Sequence, residues 1–561
     1  MFNYNRLFYL LICVFIISCQ STSRQESVTE QLVSTEDESG DIEYVTTRPG
    51  VRAYDEFTVV FSKQDMELDF RKSYFASEAQ LFTAIYEGLF SYHPLTLEPV
   101  MALAERWRLS EDKKQWTFTI RRNARFSNGD PVRAQDFRDA WISMLDPELA
   151  SPYSSFFDVI EGARNYRNGI DKNPDKVGII AEGSSTLVVK LNSPAAFFPA
   201  MLCHHSFSPI HSSMIEKEQW SPAENEEWTP PVTNGPFQIV SMNDESIVMR
   251  KSNHYWDHET VSFNKITVKL ADADEATHLW NSGEARWVLG DLNLDTLNDR
   301  SGIMVNVMFA THYYFIRSSE KPWNDHRVRR AMALVLPWEE IRGNYNLPAK
   351  TLIFPVSDYP KVEGITEPDY NEAKKLMAEA GFPNAEEIRR QNLPDLVMRI
   401  TPSREAARVA TLMAGAWKEI LGFNVRVEVI PFSRYFDSMR EDGYVIGSCT
   451  WIGDFADPYA FLQMWQRDSN LNDARFDDKD FEALIERSML EDGNKRLATL
   501  AEAEKLLLDR GTVLPIYFNP ALNIIDTREL DGWYPNALDI HPFKYMSFKT
   551  FSPLPGVALI N

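Results

Sequence analysis

The chain has 561 residues, too many for one hydrophobic core, so two or three domains are expected. Its 44% hydrophobic and 25% charged residues are those of a folded protein, and its formal charge of −23 argues against nucleic acid as a partner. A solvated acidic surface accounts for that charge, while 12% aromatic residues suit large packed interfaces or a ligand cleft.

At the N-terminus, Arg6 precedes an apolar run from Leu7 to Ile17 that ends at Ser18-Cys19. The run is too short to cross roughly 30 Å of hydrocarbon comfortably as a permanent helix, and it fits the apolar region of a secretory signal. Ile16-Ile17-Ser18-Cys19 resembles a bacterial lipobox, which implies a signal peptide over 1–18 and acylation of Cys19. Ile17 departs from the small residue usual at its position; an uncleaved anchor and ordinary secretion are the alternatives. Residues 19–51 read as a flexible tether, rich in Ser, Thr, Glu and Asp and too poor in apolar residues to offset the entropy of ordering. Two further cysteines, Cys203 and Cys449, are expected as isolated thiols.

Beyond residue 52, short apolar strands alternate with amphipathic helices. Strands are expected at 57–61, 116–120, 187–191 and 266–270, and helices from Ser77 to about Gly88, at 370–380 before Gly381 and at 405–421 before Gly422. Two more helices are expected at 479–490 and at 496–510, the latter ended by Gly511. The recurrence of strands between helices indicates an α/β or α+β architecture. Catalytic signatures are missing: the chain has no G-x-S-x-G, H-E-x-x-H, P-loop or Cys-x-x-Cys sequence. His204, His205 and His211 read as polar strand and loop residues before metal ligands, and Asp454 with Asp457 is a weak acid/base pair. No catalytic residue, metal or cofactor is expected.

Several stretches together resemble the oligopeptide-binding family, the extracellular solute-binding proteins (family 5) of ABC peptide importers. They begin with Tyr86-Glu87-Gly88-Leu89, Leu103-Ala104-Glu105-Arg106-Trp107 and Trp116-Thr117-Phe118. Asn123-Ala124-Arg125-Phe126, the run Ser127 to Val132, and Ala134-Gln135-Asp136-Phe137 follow. Thr233-Asn234-Gly235-Pro236-Phe237, Trp323-Asn324-Asp325, Trp451 to Pro458 and Leu514-Pro515-Ile516-Tyr517 come later, in the family's order. The resemblance covers about residues 55 to 550.

That resemblance implies a two-lobed α/β protein of the periplasmic-binding-protein type (type II, large three-domain cluster), with a hinge and an interlobe cleft. Domain I would comprise 52–86, 212–310 and 520–561, domain II 87–211, and domain III 311–519. A receptor for peptides of many sequences must hold the main chain and the charged ends, since these are what peptides share. The resemblance implies Asp454 for the α-ammonium, Trp451 as a pocket wall, and Thr450 and Ile452 for the ligand's main chain. It implies Tyr74, Phe75 and Ala76 on the facing side, Tyr153 from domain II and Tyr517 in a lower pocket. Two positions depart from family members: Ser448 stands where some carry an Arg for the peptide carboxylate, and Phe315 occupies an acidic cleft position. Arg440 and Arg317 are the candidates to replace that Arg. The expected partners are short peptides, the permease subunits of an ABC importer and, through the lipid anchor, a bacterial membrane facing the periplasm or cell exterior; the protein is expected to be a monomer. The alternatives are a surface lipoprotein of this fold used for sensing or for a host or partner protein, and a receptor for a dipeptide, metal chelate or sugar.

Overall fold

The computed structural model describes residues 55–549, apart from 218, 223–227, 344–346, 357 and 392. The expected signal peptide, Cys19 and tether lie outside the described residues. The first strand, β1 (Glu56–Ser62), is buried over its five central residues. Phe57, Val59 and Phe61 point into the large core, and Val60 into a second cluster with Leu279, Val288 and Ile524. Burial on both faces is why the run is apolar without alternation. Each such side chain contributes about 1.5–3 kcal/mol of burial. The chain then enters helix α1 (Ala76–Ile85).

Strands β2 (Ala104–Leu109), β3 (Gln115–Ile120), β4 (Ile179–Glu182) and β5 (Thr186–Lys190) form an antiparallel sheet in the order β2-β3-β5-β4. Alternation in β3 buries Trp116, Phe118 and Ile120, and helix α2 (Ala134–Met144) packs on this sheet through its own buried face.

The main sheet has eleven strands. It includes β6 (Phe237–Asn243), β7 (Ser246–Lys251), β8 (Lys265–Ala271), β9 (Trp287–Leu289) and β10 (Ile303–Ile316). Next come β11 (Leu396–Ile400), helix α3 (Arg404–Ala416), β12 (Val425–Val429), helix α4 (Phe432–Arg440), β13 (Ile446–Ile452) and β14 (Val513–Ile525). The strand order is β12-β11-β13-β10-β14-β9-β1-β8-β7-β6, with Leu347–Pro348 paired to β14 off this path.

The antiparallel pair β10/β14, 14 and 13 residues long, is the junction of the sheet. One end of β10 pairs β13, and the opposite end of β14 pairs β9. The ladder between them shifts register between Val307 and Thr311. Alternation along β10 sends Tyr313 and Phe315 to one core and Tyr314 and Ile316 to another.

The expected strands and helices are present with ends moved by a few residues. One differs in kind: after Ala416 the helix over 405–421 widens into a π turn, Trp417–Leu421, ended by Gly422 at φ +83°. That turn keeps both Trp417 and Leu421 buried, with the indole N–H donating to the Met332 carbonyl at 2.9 Å.

Candidate functional site

A cavity of about 240 Å³ opens between these elements. Tyr74, Phe75 and Ala76 reach it because Phe75, in extended conformation, is the residue from which α1 begins. Thr450, Trp451 and Ile452 line it from β13, Asp454 from the turn that follows, and Tyr153 from the segment after α2. Eight of the nine side chains or main-chain groups expected at a ligand site thus share one cavity. Tyr517 does not line it. In register it lies opposite His312, and its ring stacks on that imidazole at 4.8 Å, on the sheet face of Tyr314 and Ile316 rather than that of Tyr313 and Phe315.

Strand β13 turns a bare edge to the cavity. Gly453 N–H donates to the Phe309 carbonyl at 2.8 Å, so the main-chain groups of 449 and 451 face β10 while those of 448, 450 and 452 face away. Ser448 is already engaged on that outer side, its N–H donating to the Tyr435 hydroxyl at 2.9 Å. β11 pairs β13 only at Ile446. Thr450 and Ile452 therefore offer main-chain donors and acceptors with no strand beyond them among the described residues. The Thr450 side chain is turned off, its hydroxyl 2.9 Å from His312 Nδ1.

Asp454 stands just past this edge. Its backbone carbonyl accepts from the Tyr92 hydroxyl at 3.2 Å, and its Oδ1 lies 3.4 Å from His204 Nε2. Oδ2 is buried without a hydrogen-bond partner, and no Lys or Arg of the described residues pairs with the carboxyl. Burial pushes this carboxyl up to about 8 and His204 down to about 3, so His204 is neutral and supplies no counter-charge. Tyr153 packs against His204 and Trp451, its ring 4.7 Å from that of His204 and 6.4 Å from that of Trp451. The Trp451 indole is pinned by donation to the Ala460 carbonyl at 3.0 Å.

The other aspartate of the motif has a different task. Asp457 makes a two-pronged ion pair with Arg496 at 2.7 and 2.9 Å and accepts from Tyr459 N–H, so it braces the turn that carries Asp454. Cys203 and Cys449 both line the cavity as free thiols. His204 is buried and His205 half-buried at its wall, whereas His211 lies on Asp130 at 3.0 Å outside the lining. Of the two candidate arginines, Arg440 lines the cavity; Arg317 does not, and is bonded to Glu441 and Asp442.

Sequence reasoning missed His204, Tyr92, Asp473 and the buried pair Glu87–Lys544, which meets at 2.6 Å. Glu87 also accepts from Tyr255 and Trp256 at 2.6 Å each, so that pair is fully satisfied. A bulky run after a strand carries no sign of which acid a remote lysine will reach.

Residues 98–473 match the family model "Bacterial extracellular solute-binding proteins, family 5 Middle". The oligopeptide-binding protein OppA of Bacillus subtilis is 30% identical over 439 residues, 75% of this chain and 80% of that protein. The dipeptide-binding protein DppE of the same organism is 28% identical over 470 residues, 81% of this chain and 83% of its own length. The murein tripeptide-binding protein MppA of Escherichia coli, 24% identical, superposes with a TM-score of 0.77 over 88% of this chain and 99% of its own. Its unliganded open form superposes at 0.59, over 89% and 98%. The chain belongs to the bacterial extracellular solute-binding proteins of family 5: it is a solute-binding protein on the mixed α/β, multidomain fold of the periplasmic binding proteins, and not an enzyme.

Proposed function

We propose that this protein captures short peptides outside the cytoplasmic membrane and delivers them to an ABC importer. The observation that carries the reading is Asp454, a buried carboxyl with an unpartnered oxygen at the end of an unpaired strand edge. A peptide laid along β13 exchanges main-chain hydrogen bonds with Thr450 and Ile452 and sets its α-ammonium on Asp454. Tyr74, Phe75 and Ala76 close over it from the facing side, with Trp451 and Tyr153 as walls. Tyr517, outside the cavity, has no part in this mode.

The ligand is enclosed by closure of two lobes. The first comprises domain I (52–86, 212–310 and 520–561) with domain II (87–211), and the second is domain III (311–519). Two features support that division: its boundaries at 310/311 and 519/520 fall within β10 and β14, and one boundary adjoins the register shift after Val307. The two superpositions on MppA support a hinge, since its unliganded open form matches less well than the other MppA structure. Acylated Cys19 and the tether over 19–51 hold the protein at the membrane, where a high local concentration favours encounter with the permease. OppA and DppE, named for the peptides they bind, support the ligand class.

The test is calorimetric titration with a peptide library, using free-amine and N-acetylated forms of each peptide. The reading expects tight binding of free-amine peptides and a large loss on acetylation. Asp454→Asn should weaken the free-amine peptides and leave the acetylated ones unchanged. Equal loss for both forms would assign Asp454 to the fold instead of the ammonium.

A further inference from the structure

The cavity holds more charge than a plain peptide can satisfy. Arg440, at the end of α4, and Asp473 both line it, yet among the described residues neither side chain makes an ion pair or hydrogen bond. Arg440 lays its guanidinium over the ring of Tyr74, 5.2 Å from the centroid. Asp473 is half-buried, and burial pushes its carboxyl up to about 6 against the pull of Arg440, Arg475 and Arg317. The remaining lining charges are spent on each other, Lys544 on Glu87 at 2.6 Å. What stays open is two carboxylates, Asp454 and Asp473, and one guanidinium.

A peptide with neutral side chains brings one ammonium and one carboxylate, which leaves one acid of the cavity unmatched. Closing a cleft over an unmatched carboxylate costs free energy that a second cation would recover. The two acids are also well separated along β13. Asp454 follows its end, while Ala474, next to Asp473, accepts from Ser318 N–H at 2.8 Å, by the opposite end of β13 where Ile446 pairs Ile316. From Ile446 to Asp454 an extended chain spans up to about 26 Å, so different groups of one ligand meet the two acids. The rings of Tyr313 and Phe315 line the same stretch and offer faces that favour a cation.

We propose that the cavity is matched to short peptides with one basic side chain, whose cation faces Asp473 while an anionic group of the ligand faces Arg440. This rests on the peptide reading above and names the side chain that reading leaves open. Asp473 acts as a specificity residue: it disfavours neutral peptides, over which it stays unmatched, and selects lysine- or arginine-like residues at one position.

The experiment is calorimetric titration of the protein with alanine tri- and tetrapeptides in which each position in turn is lysine or norleucine, which keeps the apolar stem without the charge. At one position lysine should bind roughly tenfold or more tighter than norleucine at low ionic strength. Asp473→Asn should erase that difference by weakening the lysine peptides, with norleucine peptides binding as tightly as to the wild type or more so. Arg440→Gln should weaken both series together. Lysine and norleucine peptides of equal affinity at every position overturn the proposal, as does an Asp473→Asn variant that weakens both series equally. Binding of no peptide at all overturns the peptide reading itself; binding without preference overturns only this inference.

Discussion

The proposed pairing of Asp454 with a ligand ammonium gives peptide capture a proton signature. Its carboxyl stands at about 8 in the empty cavity because burial disfavours the charge, so at neutral pH and below the free protein carries that proton. An incoming α-ammonium, with an ordinary pKa of about 8, brings a second proton, and the pair in the complex keeps only one. Binding at about pH 6 should therefore release close to one proton, with release falling to zero near pH 8 and turning to uptake above it. The sign follows: affinity rises by about tenfold per pH unit, about 1.4 kcal/mol, between roughly pH 6 and 7, levels near 8, then falls as the amine deprotonates. A carboxyl at the ordinary value of 3.8 would instead leave affinity unchanged across that acidic range. Titration calorimetry in two buffers of different ionisation enthalpy counts the protons directly. No proton release near pH 6, together with a flat affinity profile, would refute the reasoning. Asp454→Asn should flatten the profile and cost about 2–4 kcal/mol near pH 8, where the wild-type pair is best populated.

Three further outcomes are expected. Arg164, in the proposed domain II, pairs with Asp468 at 2.9 Å and Glu482 at 3.2 Å, both in the proposed domain III. Arg164→Ala should favour the open state by about 1–2 kcal/mol, a roughly 5- to 30-fold loss of peptide affinity, with a larger radius of gyration in X-ray scattering; an unchanged radius and affinity would remove this pair from closure. Gly453→Ala should cost about 1–3 kcal/mol of thermal stability and disturb Asp454, because an added Cβ would lie 2.4 Å from the Phe309 ring and 2.8 Å from that of Phe461. Glu504 is fully buried, accepting from Ile353 N–H at 2.9 Å and the Tyr359 hydroxyl at 3.0 Å, and burial pushes its carboxyl up to about 7. Its folded state holds the proton more tightly than the unfolded chain, so the stability this contributes is lost as pH rises from about 4.5 through 7. Denaturant unfolding should find Glu504→Gln gaining on the wild type by about 2–3 kcal/mol between roughly pH 5 and 8; a constant gap would mean the carboxyl ionises normally.

What the chain determined by itself is local. Alternation alone buries Trp116, Phe118 and Ile120 on one face of β3. Gly381, Gly422 and Gly511 end helices at φ +93°, +83° and +64°, a conformation only glycine adopts freely, so these stops were legible as letters. The segments at 74–76 and 450–454 also carry their shape within a few residues, and both reach the cavity. Tyr517 shows the limit of that reading. It belongs to a readable strand, but which face it takes depends on its register against β10, and a side-chain period of two makes phase decisive. The state of each charge was decided only by the tertiary fold. Asp457 is neutralised by Arg496 and Glu87 by Lys544, 457 residues away, while Asp454 and Asp473 line the cavity and make no ion pair with a Lys or Arg among the described residues. Backbone propensity acts over a few neighbouring residues, but a carboxylate answers to whatever cation the fold brings within about 4 Å of it, and no stretch of sequence around an aspartate records that distance.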